Sequence, residues 1–189
     1  RGVVIATGTT ALVPGIPGLA GTPFWTNREA IAAEQPPESL IVVGGGAIGL
    51  ELGQAFSRFG TEVTVVEGGP RLLPLEEPEA GATIAEVFRE EGIGVLTGVS
   101  VDRVAYSNGV FSVEASGTEV RATNLLIATG RRASPAAGGA ETIGVPADAR
   151  ALPVDGQLRV AGVDGVWAVG DITGKGAFTH VAVYQARIA

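Results

Sequence analysis

The sequence predicts an α/β fold centred on a parallel β-sheet, and three features of the 189 residues support this fold class. A continuous apolar run at 40–43 is followed by the glycine-rich segment 44–49 and then by apolar residues at helical spacing. A further apolar run at 63–66 completes a strand–helix–strand unit typical of parallel strands covered on both faces. Finally, Asn108-Gly109 lies between two alternating runs, which indicates an antiparallel hairpin beside the sheet.

The amino-terminal part of the chain predicts a short strand, a loop and a short helix. The strand covers 3–6, and prolines then prevent regular structure within the loop at 9–23. Thr26 or Asn27 can cap a helix that continues to Ala33. This part of the chain resembles a connection between two lobes.

Helix-end signals place the two longer helices of the central region. The helix after the glycine-rich segment has Gly60 at its carboxyl end, and a second helix at 78–91 begins at a proline and ends before Gly92. The other predicted elements are strands at 93–96, 99–106, 110–115, 119–121, 125–128, 158–160 and 166–169, a linker at 131–156 and a carboxyl-terminal helix at 178–189.

The composition is that of a globular protein and excludes several classes of function. Hydrophobic residues make up 46% and charged residues 17%, whereas disorder needs low hydrophobicity and high charge. The net charge of −7 disfavours binding to nucleic acid. Cysteine is absent and there is one histidine, so we expect no thiol chemistry, no disulfide and no metal site.

Two further expectations concern the cellular context of the chain. The charge-free stretch at 39–50 is shorter than the roughly 20 apolar residues of a membrane-spanning helix, so we expect no membrane partner. The first residues do not read as a secretory signal, and we therefore expect a cytoplasmic protein. The absence of methionine indicates a piece of a longer protein.

Two strands of the sequence end in nearly the same string. Residues 4–8 read Val-Ile-Ala-Thr-Gly, and residues 126–130 read Leu-Ile-Ala-Thr-Gly. The repetition predicts two similar nucleotide-binding lobes, with chance similarity between short apolar strings as the alternative.

The segment 44–49 satisfies the pattern G-x-G-x-x-G in the context that gives it meaning, after a strand and at the start of a helix. Gly44 allows the tight turn, and Gly46 lets backbone N–H groups approach a pyrophosphate. Gly49 and Gly53 let the helix lie close to the sheet. The N–H groups and dipole at the start of the helix then supply a local positive field. The alternative is that these glycines serve strand–helix packing alone.

Glu67 stands where a dinucleotide-binding unit places its ribose-binding acid, 21 residues after Gly46. A carboxylate there accepts hydrogen bonds from both adenosine ribose hydroxyls and repels the 2′-phosphate of NADP. Two like charges about 4 Å apart cost at most about 4 kcal/mol at an effective dielectric near 20. We therefore predict NAD rather than NADP, with Arg71 offsetting part of the repulsion. A solvated acid at a strand end is the alternative role of Glu67.

Six motifs in this order resemble the pyridine nucleotide–disulfide oxidoreductases, the flavoproteins that include dihydrolipoamide dehydrogenase and mercuric reductase. The motifs are Val4–Gly8, Pro14–Gly18, Gly44–Glu51, Arg71–Pro74, Leu126–Arg131 and Val166–Asp171. The resemblance covers essentially the whole chain. It implies a Rossmann-like parallel sheet with an antiparallel β-meander crossover, flanked by remnants of a second, FAD-type α/β domain.

The resemblance also implies a domain order and a set of cofactor contacts. Residues 1–37 would end the first FAD-domain segment, 38–148 would form the inserted NAD(P)-binding domain, and 149–189 would return to the FAD domain. The implied contacts to NAD are Gly44, Gly46, Ala47, Ile48, Gly49, Glu51, Glu67, Val101 and Gly130, and the implied contacts to FAD are Gly8 and Asp171. For Glu51, a helix-start acid favoured by the dipole is an equal alternative.

The same resemblance implies that hydride passes from NAD(P)H to FAD in an intact, homodimeric enzyme that includes the rest of the parent chain. The paired redox cysteines, the amino-terminal FAD fingerprint and the catalytic His–Glu pair are missing from these 189 residues. We therefore assign no catalytic residue, His180 included, and expect the 189 residues to be inactive alone. A non-catalytic NAD-binding redox sensor is the alternative, while a stand-alone dehydrogenase is disfavoured because no Tyr-x-x-x-Lys pair is present.

Overall fold

The structure is a computed structural model that describes residues 2–146 and 148–189, and the chain folds as two compact units. The first unit contains Arg1–Thr10 and Arg131–Ala189, and the second unit is the continuous segment Ala11–Gly130. The strands are β1 (Val3–Ile5), β2 (Thr10–Ala11), β3 (Ser39–Val43), β4 (Glu62–Glu67), β5 (Gly94–Thr97), β6 (Val101–Ser107), β7 (Val110–Ala115), β8 (Thr118–Ala122), β9 (Asn124–Ile127), β10 (Arg131–Arg132) and β11 (Val166–Ala168). The α-helices are α1 (Asn27–Ala32), α2 (Ala47–Arg58), α3 (Pro78–Glu90) and α4 (Thr179–Ile188).

The second unit is built on a four-stranded sheet in the order β5-β4-β3-β9, and every pair in it is parallel. Val43 at the end of β3 lies opposite Val66 of β4 and Ile127 of β9. Trp25 extends the sheet beyond β9, since its N–H donates to the Leu125 carbonyl at 2.7 Å. The carboxyl ends of these strands therefore meet at one edge, and the predicted parallel sheet is confirmed.

Both faces of this sheet are covered, which explains why its strands read as continuous apolar runs. Helices pack on one face, where the buried side chains are Ala30, Leu40, Val42, Leu50, Phe56, Val63, Val65, Leu72, Phe88, Ile93 and Leu126. The antiparallel strands β6, β7 and β8 pack on the other face, with Leu19, Ile41, Val43, Val66, Val104, Phe111, Val113, Ala115, Ala122, Leu125 and Ile127 buried there. The unit is thus three layers thick.

The two turns of the β6-β7-β8 meander have the conformation that their sequences predict. Asn108 and Gly109 have φ values of +51° and +80°, and Ser116 and Gly117 have +47° and +85°. Positive φ at both central residues is the type I′ geometry, whose twist matches that of a two-stranded antiparallel ribbon. The hairpin predicted from Asn108-Gly109 is confirmed, and Ser116-Gly117 forms a second hairpin of the same type.

The helices of the second unit begin and end close to the predicted positions. Thr26 caps α1 in a capping box, because its hydroxyl accepts from Arg28 N–H while Glu29 accepts from Thr26 N–H at 2.7 Å. Gly60, with φ +94°, follows the last residues of α2. Gly92, with φ +77°, follows α3 in the same way. Glycine adopts these left-handed conformations without steric cost, which is why it stops both helices.

The first unit is less regular. Strand β1 pairs in parallel with β11, Val4 lying opposite Trp167. Besides α4, its described residues form the 3-10 turns Ala136–Gly138, Ala140–Ile143 and Gly170–Thr173. Its buried core consists of Ala133, Ala140, Val145, Leu152, Val160, Ala168 and Ile172.

The sequence predicts a linker at 131–156, but the described residues of this segment contribute to the core of the first unit; Ala147 lies outside the described residues. The 3-10 turns are three or four residues long, too short to give the apolar periodicity by which helices are recognised. The strand expected at 158–160 is replaced by isolated bridges of Arg159 and Val160.

The division into units also falls at other positions than the predicted boundaries at 37/38 and 148/149. The contacts separate the units after Thr10 and after Gly130. Leu19 and Trp25 pack with the central sheet, so residues 11–37 belong to the second unit. Ala133, Ala140 and Val145 pack in the smaller core, so residues from 131 onward belong to the first.

Within the described residues, no helix combines the length and the apolarity that crossing a membrane requires.

Candidate functional site

The glycine-rich turn, residues 44–49, connects β3 to α2 at the carboxyl edge of the sheet. Gly44 has φ +116°, and a Cβ on it would lie 2.4 Å from the Ala128 carbonyl oxygen. L side chains rarely adopt such a positive φ, and real Cβ atoms essentially never approach other atoms so closely, so both facts exclude a side chain at this position. The turn is therefore as tight as the sequence predicts, and the end of β9 lies directly against it.

Gly49 and Gly53 face the sheet from α2, but they differ in how much space surrounds them. A Cβ on Gly49 would lie 2.2 Å from the Gly44 carbonyl oxygen and 3.1 Å from Val42 Cγ1. A Cβ on Gly53 would lie 3.5 Å from Val63 Cγ1, which is ordinary van der Waals contact. Close packing of α2 therefore requires glycine at 49 and tolerates alanine at 53.

Gly46 is the N-cap of α2, and its position leaves space for a ligand. Its backbone is extended, with φ −84°, and a Cβ added to it would meet nothing within 4 Å. The first N–H groups of an α-helix have no partner within the helix, and here they follow Gly46 in Ala47, Ile48 and Gly49. The start of α2 thus presents backbone donors to open space, as an anion site requires.

Glu67 is the last residue of β4, and its carboxylate is held beside the glycine-rich turn. One carboxylate oxygen accepts the Gly45 N–H at 2.6 Å, and the other accepts the Gly69 N–H at 2.5 Å. Each oxygen has a second lone pair that these bonds do not use. The structure therefore brings together the two features that the sequence singles out, the turn and the acid.

Arg71 is half-buried and has different partners from those expected of a residue that faces a 2′-phosphate. Its guanidinium donates to the backbone carbonyls of Leu72, Leu73, Pro74 and Glu76. These contacts hold the guanidinium in place. That Arg71 offsets part of the repulsion of a 2′-phosphate stays a prediction.

The other residues predicted to contact NAD lie at separate positions in the second unit. Val101 begins β6 and is half-buried against the meander face of the core. Gly130 has φ +115° with open space where a Cβ would be, and it follows the strand whose end touches Gly44. Glu51 is exposed on α2.

In the first unit, Thr9 links the two residues predicted to contact FAD. Gly8 has φ +66° and directly precedes Thr9, whose hydroxyl donates to the Asp171 carboxylate at 3.1 Å. The Arg131 guanidinium donates to the Thr9 hydroxyl at 2.8 Å. A cavity of about 130 Å³ lies here, lined by Thr7, Gly8, Thr9, Thr10, Ser134 and Gly138.

Sequence reasoning missed Gln185, a buried polar residue of α4. Its side-chain oxygen accepts the Gly170 N–H at 2.6 Å and so holds the turn that carries Asp171. His180 and Tyr184 are both exposed on the same helix. An uncharged polar residue among apolar ones on a helix was the available signal for Gln185. In the described part of the chain, no three histidine, aspartate or glutamate side chains cluster to hold a metal.

Comparison with known proteins shows similarity over the whole chain. The sequence profile described as "Pyridine nucleotide-disulphide oxidoreductase" matches residues 1–186. A mercuric reductase of Acidithiobacillus ferrooxidans is 39% identical over 180 residues, which are 95% of this chain and 32% of that protein. A dihydrolipoyl dehydrogenase of Chlorobaculum tepidum is 37% identical over 196 residues, covering 100% of this chain and 41% of that protein.

Solved structures show the same similarity in three dimensions. The Cu(II) complex of the HOCl-induced flavoprotein disulfide reductase RclA from Escherichia coli superimposes with a TM-score of 0.92 at 31% identity. That match covers 100% of this chain and 44% of the RclA chain. The chain thus spans about a third to two-fifths of the length of the curated relatives named above.

Proposed function

The chain belongs to the pyridine nucleotide-disulphide oxidoreductase family, and from this premise we propose that its second unit binds NAD(H) in a flavin-dependent oxidoreductase. One observation carries the proposal: the glycine-rich turn and the Glu67 carboxylate lie together at the carboxyl edge of a parallel sheet. In open α/β sheets, ligands bind at this edge. The residues present therefore fit a dinucleotide in both charge and shape.

The start of α2 supports binding of the pyrophosphate. Its free N–H groups and helix dipole favour an anion, and Gly46 has no side chain that would obstruct the approach. This local field matters because the net charge of the chain is −7 and repels phosphates overall. The residues that bind the pyrophosphate are thus backbone groups of 46–49.

Glu67 supports NAD as the coenzyme. Its remaining lone pairs are available to the adenosine ribose hydroxyls, while its charge opposes a 2′-phosphate. The repulsion is at most about 4 kcal/mol for unit charges about 4 Å apart, before solvent and salt screening. Arg71 does not relieve it by a direct contact with Glu67, since its hydrogen bonds go to backbone carbonyls.

The first unit fits one part of a flavin. Gly8, Thr9 and Asp171 offer an open backbone position, a hydroxyl and a carboxylate beside a cavity of about 130 Å³. Sites for drug-sized ligands take about 300–1,000 Å³, so these residues can contact only part of FAD. FAD, when bound, supplies the hydride-accepting chemistry. The residues of this chain orient the FAD. Arg131 holds Thr9, and Gln185 holds the Gly170–Thr173 turn that carries Asp171.

Exposed apolar side chains in the first unit support the rest of the parent chain as its partner. Val3 and Val4 on β1 are 58% and 55% exposed, and Phe178 and Tyr184 at α4 are 63% and 66% exposed. Large apolar side chains exposed on both elements indicate surface that another part of the protein covers. We propose that the parent protein covers it and acts as a homodimer; the cytoplasmic location stays a prediction.

The coenzyme assignment is tested by calorimetric titration of the 189-residue chain. We expect NADH to bind at least about tenfold more tightly than NADPH, because Glu67 repels the 2′-phosphate. The variant Glu67→Gln should reduce the ratio by removing the charge while leaving a similar shape. Equal affinities in the unmodified chain would contradict the assignment of NAD.

The anion site is tested by Gly46→Val in the same titration. Open space around Gly46 means that valine should leave the far-UV circular dichroism unchanged, while its side chain covers the N–H groups and abolishes NADH binding. Gly53→Ala is the matched control, since it adds a Cβ to the same helix in ordinary contact with Val63. Retained NADH binding by Gly46→Val would refute the proposed function.

A further inference from the structure

Arg71 belongs to a segment that packs directly against the glycine-rich turn. We infer that Arg71 is a positioning residue for the dinucleotide site: its guanidinium holds the 72–76 loop, and that loop holds Gly45 of the turn. The inference rests on the proposed function for its consequence in binding, and on hydrogen bonds within one compact unit for its geometry.

The guanidinium of Arg71 donates hydrogen bonds to several backbone carbonyls of one short loop. Nη1 donates to the Leu73 carbonyl at 2.6 Å, and Nη2 donates to the carbonyls of Glu76 at 2.7 Å and Pro74 at 3.1 Å. A guanidinium has five N–H donors in a rigid plane, so a single side chain can fix several peptide units at once. Its charge strengthens each of these bonds. The path of the 72–76 loop therefore depends on Arg71.

Leu73 is the residue through which this loop reaches the turn. Its φ is +48°, a left-handed conformation that leucine rarely adopts and that persists only where the surroundings enforce it. Here the Leu73 carbonyl accepts from Arg71, and the Leu73 N–H donates to the Gly45 carbonyl at 2.8 Å. Both polar groups of Leu73 are thus held, one by the arginine and one by the glycine-rich turn.

Gly45, which is hydrogen-bonded to the loop through Leu73, lies next to the proposed anion site. Its carbonyl accepts from Leu73, its N–H donates to Glu67 at 2.6 Å, and an added Cβ would lie 2.8 Å from a methyl carbon of buried Leu72. The next residue is Gly46, where the helix donors begin. A displacement of the 72–76 loop would therefore move both Gly45, whose N–H binds the Glu67 carboxylate, and the backbone N–H groups at the start of α2.

Helix α3 leaves Arg71 little freedom to find other partners. A Cβ on Gly81 would lie 2.4 Å from the Leu72 carbonyl oxygen and 3.3 Å from Arg71 Nη1. The first turns of α3 thus lie directly over the loop and the guanidinium. Lysine can replace arginine only in part here, because an ammonium is a point charge with three donors and cannot bridge these carbonyls in one plane.

The test compares Arg71→Gln and Arg71→Lys with a control variant, Arg89→Gln. Arg89 is an exposed arginine of α3 that forms an ion pair with Glu86 at 3.3 Å, so Arg89→Gln removes the same charge as Arg71→Gln at a different place on the surface. We expect Arg71→Gln to weaken NADH binding about tenfold or more, since misplaced binding groups carry penalties of this order. Arg71→Lys should fall between Arg71→Gln and the unmodified chain, and Arg89→Gln should bind within about twofold of it.

A second readout does not need the nucleotide. Amide hydrogen exchange, followed by NMR on the nucleotide-free chain, should be faster at Leu73 and Gly45 in both Arg71 variants and unchanged in Arg89→Gln. Unchanged exchange, or unchanged NADH affinity in Arg71→Lys and Arg71→Gln, overturns the inference. Should Arg71→Gln fail to fold, Arg71→Lys decides by the same two measurements. If the unmodified chain does not bind NADH, the proposed function fails, while amide exchange still tests the hold of Arg71 on the turn.

Discussion

Strands β1 and β9 end in the same string, Ile-Ala-Thr-Gly, yet they differ completely in burial. Val4 on β1 is 55% exposed, whereas Leu126 at the matching position on β9 is 0% exposed. Strand β9 pairs with β3 and has Trp25 on its other side, and both faces of its sheet are covered. Strand β1 pairs with β11 in a two-stranded sheet.

The two strands carry almost the same apolar sequence, but only β9 has a neighbour on each side and both faces of its sheet covered within its unit. The pattern of β9 is satisfied within the second unit by helices and by the meander. The apolar side chains of β1 are only partly buried within the first unit. The proposed contact with the rest of the parent chain would account for their exposure.

The largest difference is expected from shortening the matched side chains. Leu126→Ala should cost about 2–5 kcal/mol of unfolding free energy, because it opens a cavity in a closed core. Val4→Ala should cost less than about 0.5 kcal/mol in the 189-residue chain, because the side chain is already largely in water. Guanidinium denaturation followed by tryptophan fluorescence measures both costs. In a Trp167→Phe background Trp25 reports on the second unit, and in a Trp25→Phe background Trp167 reports on the first. Comparable costs would show that β1 is as well covered as β9.

A smaller difference is expected from the glycines that end the two strings. Neither Gly8 nor Gly130 has an atom within 4 Å of an added Cβ, so alanine tests backbone strain alone. Gly8 has φ +66°, close to the left-handed helical value, and Gly8→Ala should cost about 1 kcal/mol. Gly130 has φ +115°, a region that is essentially limited to glycine, and Gly130→Ala should cost about 2 kcal/mol. The same denaturation measurements apply, and equal costs would mean that the two endings share one conformation.

The regular features of the second unit were predictable because local sequence determines them. Continuous apolar runs, glycine at helix ends and the pair Asn108-Gly109 each have one dominant structural meaning, and the sheet, helices and hairpins follow. The turn and Glu67 were predictable for the same reason, since their spacing is a property of a single strand–helix–strand unit. The placement of Gly44 against Ala128 was not, because it joins residues that are far apart in the sequence.

Two features resisted prediction for physical reasons, and they are illustrated by Leu152 in the first unit and Arg71 in the second. Leu152 is 0% exposed in a segment that has no helical or strand period, so nothing in the local pattern marks it as core. Arg71 was interpreted through its charge, but its partners are backbone carbonyls, which a sequence does not display. The compact units divide at other positions than the predicted domains for a similar reason, because Leu19 and Trp25 join the central sheet through contacts with distant residues.

The smallest effect concerns the segment that flanks β9, and it depends on pH. Trp25 pairs with β9, and the next residue, Thr26, caps α1 and donates its hydroxyl to Glu29 at 2.6 Å. Hydrogen bonds from the Thr26 hydroxyl and N–H lower the pKa of Glu29 below its ordinary value of 4.5. A lowered folded-state pKa stabilises the fold above the unfolded pKa, and this stabilisation is lost as pH falls through the folded pKa.

Thr26→Ala should therefore cost about 1 kcal/mol near pH 7, the usual worth of an N-cap, and this cost should shrink as pH falls through the lowered pKa of Glu29 and its carboxylate takes up a proton. Trp25 fluorescence in the Trp167→Phe background measures the cost across pH. Thr83→Ala is the control, because the Thr83 hydroxyl donates to the Glu79 carbonyl within α3 and its contribution involves no carboxylate. A cost that stays constant down to pH 3 would show that the Glu29 carboxylate does not support the cap. The edge beyond β9 would then be held by the Trp25 backbone bonds to Leu125 and Ile127 rather than by the helix that follows.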